Sequence, residues 1–358
     1  MGEGQYRSRQ FADFRSSRTA IGCILLLSLA TLLSLLAYVI IPDGTPNANR
    51  QIPRLALLSP TSIEQFVMRG QSYEVEKVSL ISRMLSGQRD DVIFIPVDDI
   101  RSTQGQLEIS HEGVISYQDM AELKMDGELP EIIERRFWFG TDKYGRDVLS
   151  RLVLGLRASL FVGFLAVIVS LSIGVFLGSM AGYFGGYTDR LIMFLINTSW
   201  SIPTLLMAFA IILALGRGFG VVILAIGLTM WVDVARIVRG QVLQTKSELY
   251  VQAAKISGYH HIRIIARHIL PNVSGPILVM AAANFATAIL VEAGLSFLGL
   301  GIQPPTPSLG NMLQESYAYA TGGFVYLAVF PILTIMSLVL CFNLLGTALR
   351  DVFDVRSG

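Results

Sequence analysis

The sequence is poor in charge and in cysteine. Only 15% of its 358 residues are Asp, Glu, Lys or Arg, against about 25% in an ordinary soluble domain. Lys and Arg (28) nearly balance Asp and Glu (27), so no basic excess indicates a nucleic-acid partner. Cys23 and Cys341 lie inside apolar runs and do not form an exported disulfide framework. What remains is 52% hydrophobic residues and a mean hydropathy of +0.55, which is typical of a membrane protein.

The motifs of several enzyme classes are also missing. The chain has no Gly-x-x-x-x-Gly-Lys-Ser/Thr loop to wrap a phosphate. It has neither the Gly-x-Ser-x-Gly nor the His-Glu-x-x-His pattern of hydrolases. His260, His261 and His268 lack the i, i+4 spacing that aims two imidazoles at one metal ion. The sequence therefore predicts a conduit with no metal site and no enzymatic activity of its own.

Six apolar blocks are long enough to cross a hydrocarbon layer of roughly 30 Å. The first block ends directly at Pro42 and exceeds the apolar core of a cleavable signal peptide, so we expect it to remain as an anchor. An all-α membrane protein with six transmembrane helices is predicted. The blocks are residues 19–41, 158–181, 191–215, 219–235, 273–293 and 324–346.

The distribution of Lys and Arg predicts the orientation, because cytoplasmic loops are enriched in them. The loop between the fifth and sixth predicted spans, Ser296 to Gly323, has no Lys or Arg, which indicates the outside. Both termini are then cytoplasmic, as residues 1–18 and 347–358, and residues 42–153 lie outside. The basic residues that carry this prediction are Arg7, Arg9, Arg15, Arg18, Arg236, Arg239, Lys246, Lys255, Arg263 and Arg267.

The outer segment differs from the rest of the chain in composition. Between Asp43 and Phe139 it has sixteen acidic and ten basic residues. Strand-like runs at 54–58 and 91–96 alternate with polar stretches, which predicts a small α+β insert between helices 1 and 2. Its net negative charge leaves two interpretations open: a recognition element for an outer partner, or a passive solvated excursion.

The apolar blocks contain polar residues both near their ends and deeper inside. Three charged residues near predicted span ends are expected to reach the interface or cap helices, with the lining of a pathway as the alternative; they are Arg157, Asp233 and Glu292. Three deeper asparagines either bond between helices or line a translocation pathway; they are Asn197, Asn284 and Asn343. Pro203, with Ser199 and Ser201, predicts a kinked third span that lines a cavity.

The cytosolic loop 236–272 has its own internal order. Thr245 and Glu248 have the spacing of a capping box that opens a helix over Leu249 to Ser257. Gly258 is placed to end that helix in the left-handed conformation. Ala253 and Ala254 leave a smooth face, so the helix either binds a partner or folds back on its own spans.

From Gln252 to Pro271 the loop resembles the EAA motif of permease subunits of ATP-binding-cassette (ABC) importers, E-A-A-x3-G-x9-I-x-L-P. Gln252 stands where the motif has Glu, and His268 stands where it has Ile. The resemblance implies a helix that fits a cleft on the ATPase subunit. The residues it implies for this coupling are Gln252, Ala253, Ala254, Gly258, Leu270 and Pro271.

Two further stretches are similar to the C-type permease subunit of dipeptide, oligopeptide and nickel importers. They are Gly140 to Arg151, G-T-D-K-Y-G-R-D-V-L-S-R, and Glu292 to Gly310. The resemblance implies a type I importer core over 154–346 in a cell inner or cytoplasmic membrane. It also implies a homologous permease, cytosolic ATPases that use ATP and magnesium, an external binding protein that delivers peptide, and no cofactor bound by this chain.

Two other functions compete with this interpretation. A secondary transporter driven by an ion gradient would need paired intramembrane acids and related halves, and neither is visible. A membrane-anchored sensor with a ligand-binding insert would account for the first span and the insert but would leave five spans without a role.

Overall fold

The computed structural model describes residues 17–70, 78–103, 106–111, 114–119 and 132–353. Helices form most of this part of the chain, and short strands occur only in the insert, which we define as residues 42–147. Arg7, Arg9 and Arg15 of the predicted N-terminal tail lie outside the described residues, as does the end of the C-terminal tail from residue 354.

The helices follow one another along the chain with short connections. The segment before the insert holds α1 (Arg18–Leu35) and α2 (Ala37–Ile40), and the insert holds α3 (Leu80–Ser86). The remaining helices are α4 (Val148–Phe184), α5 (Gly186–Trp200), α6 (Thr204–Leu215), α7 (Phe219–Lys246), α8 (Leu249–Ile256), α9 (His261–Ile264), α10 (Ser274–Phe297), α11 (Leu309–Ala320) and α12 (Tyr326–Phe353).

Among the described residues, five helices are long and apolar enough to cross a membrane: α1, α4, α7, α10 and α12. A sixth crossing is possible where α5 and α6 form a pair bent by 93°. The bend falls at Ser201 to Pro203, as the sequence predicts, because Pro203 has no N–H to continue the helical ladder. Several helices also run past the apolar blocks: α4 begins at Val148, not near 154, and α12 continues to Phe353.

Helices α4 and α7 pack closely, and small residues make this possible. Gly174, Gly178 and Gly182 recur every fourth residue on α4, so they lie along one face. A Cβ atom on Gly178 would lie 2.5 Å from the carbonyl oxygen of Ala235 on α7. The backbones therefore approach as in small-x-x-x-small helix pairs of membrane proteins.

The anchor helix α1 packs against two other long helices, α4 and α12. Ala30 lies in one cluster with Leu156 of α4 and with Ile335 and Leu338 of α12. The thiols of Cys23 on α1 and Cys341 on α12 contact each other. Both cysteines are buried, so the first span belongs to the helical core and is not a separate tether.

The insert carries two three-stranded antiparallel sheets. One has the order β2-β1-β6 and the other the order β3-β4-β5. Gln65 of β1 pairs with Val97 of β2 and with Glu134 of β6. The strands are β1 (Ser62–Gly70), β2 (Val92–Val97), β3 (Asp99–Thr103), β4 (Gln106–His111), β5 (Val114–Asp119) and β6 (Ile132–Phe137).

One of the two expected strands is absent from the insert. The run at 91–96 is confirmed as β2, but the run at 54–58 forms a turn of 3-10 helix, Pro53–Leu55. Pro53 lacks a ladder donor, and Leu57 has a φ of 63°, which no strand residue adopts. The backbone of this turn is held by Thr141, whose hydroxyl donates to the carbonyl of Leu55 and accepts from the N–H of Leu58.

Candidate functional site

Helix α8 begins where the sequence predicts but for a different reason. Glu248 is the N-cap residue and makes no side-chain capping bond. Thr245 lies inside α7, which runs to Lys246 and so extends well beyond its apolar block. The expected capping box is therefore wrong. α8 instead starts after a break of two residues, Ser247 and Glu248. The carbonyl of Ser247 accepts from the side-chain amide of Gln252 at 3.0 Å.

Two faces of α8 have opposite environments. Val251 and Ala254 are buried, 3% and 6% exposed, against Val238 and Val242 of α7 and the residues that follow α8. The expectation of a smooth outward face made by both alanines is thus met only by Ala253, which is exposed. Because the period of a helix is 3.6 residues, positions 251 and 254 share one face and 253 does not.

The outward face of α8 is unusually apolar. Leu249 is 82% exposed and Ile256 is 87% exposed, at the two ends of an eight-residue helix. Gln252 and Ala253 lie exposed between them. The sequence analysis does not single out Leu249, although its exposure follows from the burial of Val251 and Ala254 on the other face.

The segment after α8 supports the helix from behind. Gly258 has a φ of 79°, which confirms the predicted left-handed end of α8. A turn of π-helix over Ile265–Ile269 follows α9 and buries Ile269, while Leu270 packs partly buried against the same cluster as Val251 and Ala254. Pro271 is exposed. Leu270 thus fixes the position of α8, and Pro271 ends the π-helical stretch.

The histidines of this loop have structural contacts of their own. His261 Nδ1 lies 2.9 Å from the hydroxyl of Tyr183, and His268 stacks on Tyr259 with ring centroids 5.8 Å apart. Within the part of the chain that the structure describes, no three His, Cys, Asp or Glu side chains gather as a metal site.

The motif from Gly140 to Arg151 forms a turn that joins the insert to the start of α4. A Cβ atom on Gly145 would lie 1.9 Å from the carbonyl oxygen of Ile52, so the insert backbone can approach only a glycine here. Asp142 Oδ1 accepts from the backbone N–H groups of Tyr144 and Arg146 and closes the turn. The motif thus fastens the insert onto the spanning helices.

A charge cluster holds this turn against α11. Arg146 donates to Asp142 and to Glu315, both at 2.6 Å. Arg151 lies 3.3 Å from Glu315 and 3.6 Å from Asp142. Both arginine side chains are 4% exposed or less, so their charges need these carboxylates. The sequence offers one weak sign of this role for Glu315, because it is the only acidic residue between Ser296 and Gly323, a loop without Lys or Arg.

Glu292 is expected from the sequence to reach the interface, but it lies buried inside the protein. It is 0% exposed, and its carboxylate accepts from Ser159 of α4 at 2.8 Å and from Ser296 at 2.7 Å. Arg157 does extend toward the insert, where it donates to the carbonyl of Met84 at 3.3 Å. Glu292 therefore joins α10 to α4 inside the protein.

Asp233 also differs from expectation, because it lies in the middle of α7 and not near its end. It is exposed and accepts from the indole N–H of Trp200 at 3.1 Å. Arg236 stacks on the same indole, 3.8 Å from the ring centroid, and donates to Asn197 at 3.4 Å. These four side chains form a polar cluster beside the bend between α5 and α6, which we call the bend cluster.

The other two asparagines have separate environments. Asn284 is buried and donates to Ser170 of α4 at 3.2 Å, a bond between two spanning helices. Asn343 is exposed on α12. Asn197 and Asn284 therefore bond to different helices, and Asn197 lies beside charged groups.

Comparison with known proteins gives one family and several close relatives. Residues 174–356 match the sequence profile of the binding-protein-dependent transport system inner membrane component. The dipeptide transport system permease protein DppC of Bacillus subtilis is 43% identical over 219 residues, which are 61% of this chain and 68% of the relative. The glutathione transport system permease protein GsiD of Pectobacterium atrosepticum is 40% identical, over 61% of this chain and 72% of the relative.

An inward-facing form of the methionine ABC transporter MetNI aligns with 57% of this chain and 97% of the matched chain, with 19% sequence identity and a TM-score of 0.47.

Proposed function

The chain belongs to the family of binding-protein-dependent transport system inner membrane components and is a permease subunit of an ABC importer, and from this premise we propose that it carries short peptides. The relatives named for dipeptide and glutathione transport support this substrate class. We propose a type I core that works with a homologous permease, cytosolic ATPases and an external binding protein. Hydrolysis of ATP with magnesium belongs to the ATPases in this proposal.

The single observation that carries the mechanism is the exposed apolar face of α8. Water-exposed Leu249 and Ile256 are unfavourable unless a partner covers them, since each fully buried side chain of this size is worth about 1.5–3 kcal/mol. The opposite face, Val251 and Ala254, is fixed to α7. A partner that pushes on the outer face would move α7 as well, and this supports the proposal that α8 transmits ATPase closure to the spans.

The roles of the six coupling residues follow from this geometry. Gln252 and Ala253 contact the ATPase together with Leu249 and Ile256. Ala254, Gly258 and Leu270 position the helix from the chain's own side, and Pro271 ends the support behind it. In this proposal Ala254 acts through packing and not through direct contact.

Replacing Ile256 with Asp tests the docking proposal. The substitution places a charge on the outer face without touching the buried one, so the permease should fold normally and lose its ATPase in co-purification. The matched control is Ile63→Asp, because Ile63 is 50% exposed on β1, in the insert. Retention of the ATPase by Ile256→Asp at normal expression would show that α8 is not the docking element.

The bend cluster is the proposed pathway element. Asn197, Trp200 and Asp233 of this cluster are exposed beside the break between α5 and α6, and Arg236 is half-buried. Charged groups on a spanning helix are favourable only beside water or a partner. Asn197 belongs to this cluster and stays a pathway candidate. Asn284 is proposed as a structural bond between α10 and α4, and Asn343 is an exposed residue in the second half of α12.

The orientation of the chain is also a proposal, based on the basic residues around α8. Cysteine probes at Ser110 in the insert and Ser257 after α8 should label from the outside and from the cytosol, respectively. Background labelling is low because Cys23 and Cys341 are both buried. The opposite pattern would reverse the topology and remove α8 from the reach of a cytosolic ATPase.

A further inference from the structure

Helix α3 of the insert has an exposed apolar side. Ile81 is 73% exposed and Leu85 is 59% exposed, and Met84 beside them is also exposed. Residues 81, 84 and 85 share one side of the helix because they are three and four positions apart. The other side carries the polar residues Ser82, Arg83 and Ser86. This division favours a helix that lies at a membrane surface, with its apolar side in lipid and its basic side toward the headgroups.

The ends of α3 are well defined although the helix is short. The hydroxyl of Ser79 accepts from the backbone N–H of Ser82 at 3.3 Å and caps the first turn. Gly87, with a φ of 75°, ends the helix. Isolated helices shorter than about 12–15 residues are marginal in water, so a helix of seven residues depends on its surroundings.

The C-terminal end of α3 packs against the end of the first span. A Cβ atom on Gly87 would lie 2.7 Å from the carbonyl oxygen of Gly44 and 2.8 Å from the ring of Tyr38. The backbone N–H of Gln88 donates to the same carbonyl at 3.0 Å. Since the uncharged run of the first span ends at Asp43, these contacts place the end of α3 at the boundary of the hydrocarbon layer.

Helix α4 gives the same depth independently. Arg157 donates to the carbonyl of Met84 at 3.3 Å. It is the last charged residue before an uncharged run that extends to residue 188, and arginines at such positions keep the guanidinium at the interface. Two spans therefore place α3 at one boundary. All of α3 lies close to that boundary, because a helix of seven residues is only about 10 Å long.

The apolar side of α3 continues onto exposed side chains of the spans. Leu85 lines a cleft of about 260 Å³ together with Phe161 of α4 and Phe219 of α7. The two phenylalanine rings stack with centroids 5.9 Å apart, and Phe161 is 50% exposed. Phe161 lies one turn inside the uncharged run of α4, at a depth where lipid surrounds a spanning helix. Leu85 and Phe161 thus belong to one apolar surface.

We propose that α3 lies in the membrane interface on the side of the insert, with Ile81, Met84 and Leu85 in the lipid. Arg83, on the other side of the helix, faces the headgroups. The bilayer then holds the insert through α3, in addition to the contacts that the insert makes with the spans. This placement depends on the membrane family of the chain, and neither on its substrate nor on coupling through α8.

Fluorescence quenching tests where the apolar side of α3 lies. A bimane label is attached at Ile81→Cys in the full chain, assembled with its partner subunits in lipid nanodiscs; Cys23 and Cys341 are buried and stay unlabelled. Lipids brominated at graded depths along the acyl chain quench a label in lipid, and iodide quenches a label in water. Interfacial helices are buried about 5–10 Å into the boundary between headgroups and acyl chains, so bromine at about that depth should quench most strongly.

Ser86→Cys is the matched control, because residue 86 is exposed on the same helix but lies about 140° around its axis from Ile81. Iodide should quench the label at Ser86→Cys more strongly than the label at Ile81→Cys, and brominated lipid should quench them in the reverse order. The Ile256→Asp background should leave both results unchanged, so failure of the docking proposal and failure of this one are distinguishable.

Two outcomes would overturn the interfacial position of α3. Quenching of Ile81→Cys by iodide and not by brominated lipid would place the apolar side in water. Protection of Ile81→Cys from both quenchers would show that a protein partner covers this side in place of lipid.

Discussion

Replacing Gly178 with Ala should weaken the contact between α4 and α7 by a measurable amount. The added Cβ would lie 2.5 Å from the carbonyl oxygen of Ala235 and 3.0 Å from the Cβ of Val238. Neither atom can move by a side-chain rotation, since one is backbone and the other is fixed to it. The helices must separate, and overpacking of this kind costs about 1–3 kcal/mol.

Gly240→Ala is the matched control, because Gly240 lies in α7 with nothing within 4 Å of its added Cβ. Alanine is a better helix former than glycine by about 0.8–1 kcal/mol at either position. That gain is common to the two variants, so the difference in their stability isolates the clash. The difference should be about 1–3 kcal/mol.

The native cysteines provide the assay. Cys23 and Cys341 are 5% and 7% exposed, so a fluorogenic thiol reagent reacts with them only as the protein unfolds. A change of 1 kcal/mol shifts the midpoint by about 2–4 °C in chains of 150–250 residues and by less in a longer chain, so Gly178→Ala should unfold at least about 1 °C below Gly240→Ala. Equal midpoints for the two variants would refute the close α4–α7 contact.

Three other outcomes follow from buried contacts. Glu315→Gln should destabilise the protein by about 3 kcal/mol, because two buried arginines lose one of two carboxylates; a neutral result in the thiol assay would count against the cluster. Oxidation by copper phenanthroline should join Cys23 to Cys341, and mass spectrometry should detect the linked peptide pair. Absence of this pair would contradict the position of α1 beside α12. Asn284→Leu should cost only about 0.6 kcal/mol, typical of a bond such as that to Ser170 between spanning helices, whereas a loss of several kcal/mol would indicate a larger role.

The sequence predicts best where one physical effect dominates. The apolar blocks locate the spanning helices because nothing else places so many uncharged residues together. Pro203 predicts the bend, and Gly258 predicts the end of α8, since each residue is restricted or permitted by its own backbone geometry.

Prediction fails where a tertiary partner decides the outcome. The run at 54–58 looks like a strand, but Thr141 holds it as a turn against the start of α4. Thr245 has the spacing of a cap, but α7 continues through it as a helix. Helices extend past their apolar blocks because polar residues at the ends continue the backbone ladder outside the hydrocarbon.

The candidate site shows the same division. Motif spacing identifies the segment from Gln252 to Pro271, but not which side of α8 faces outward. That depends on α7, which covers Val251 and Ala254 and leaves Leu249 and Ile256 exposed. Asp233 was expected near a helix end because the length of α7 beyond its apolar block cannot be read from hydropathy.

ATP-dependent uptake measures coupling through α8 most directly. Proteoliposomes would contain this chain with its partner permease, the ATPases and the binding protein, and a radiolabelled dipeptide would be supplied with the binding protein outside. We expect accumulation that requires magnesium ATP in the compartment facing α8, that is lost in Ile256→Asp and that persists in Ile63→Asp. Accumulation driven by an ion gradient without ATP, or undiminished in Ile256→Asp, would contradict coupling through this helix.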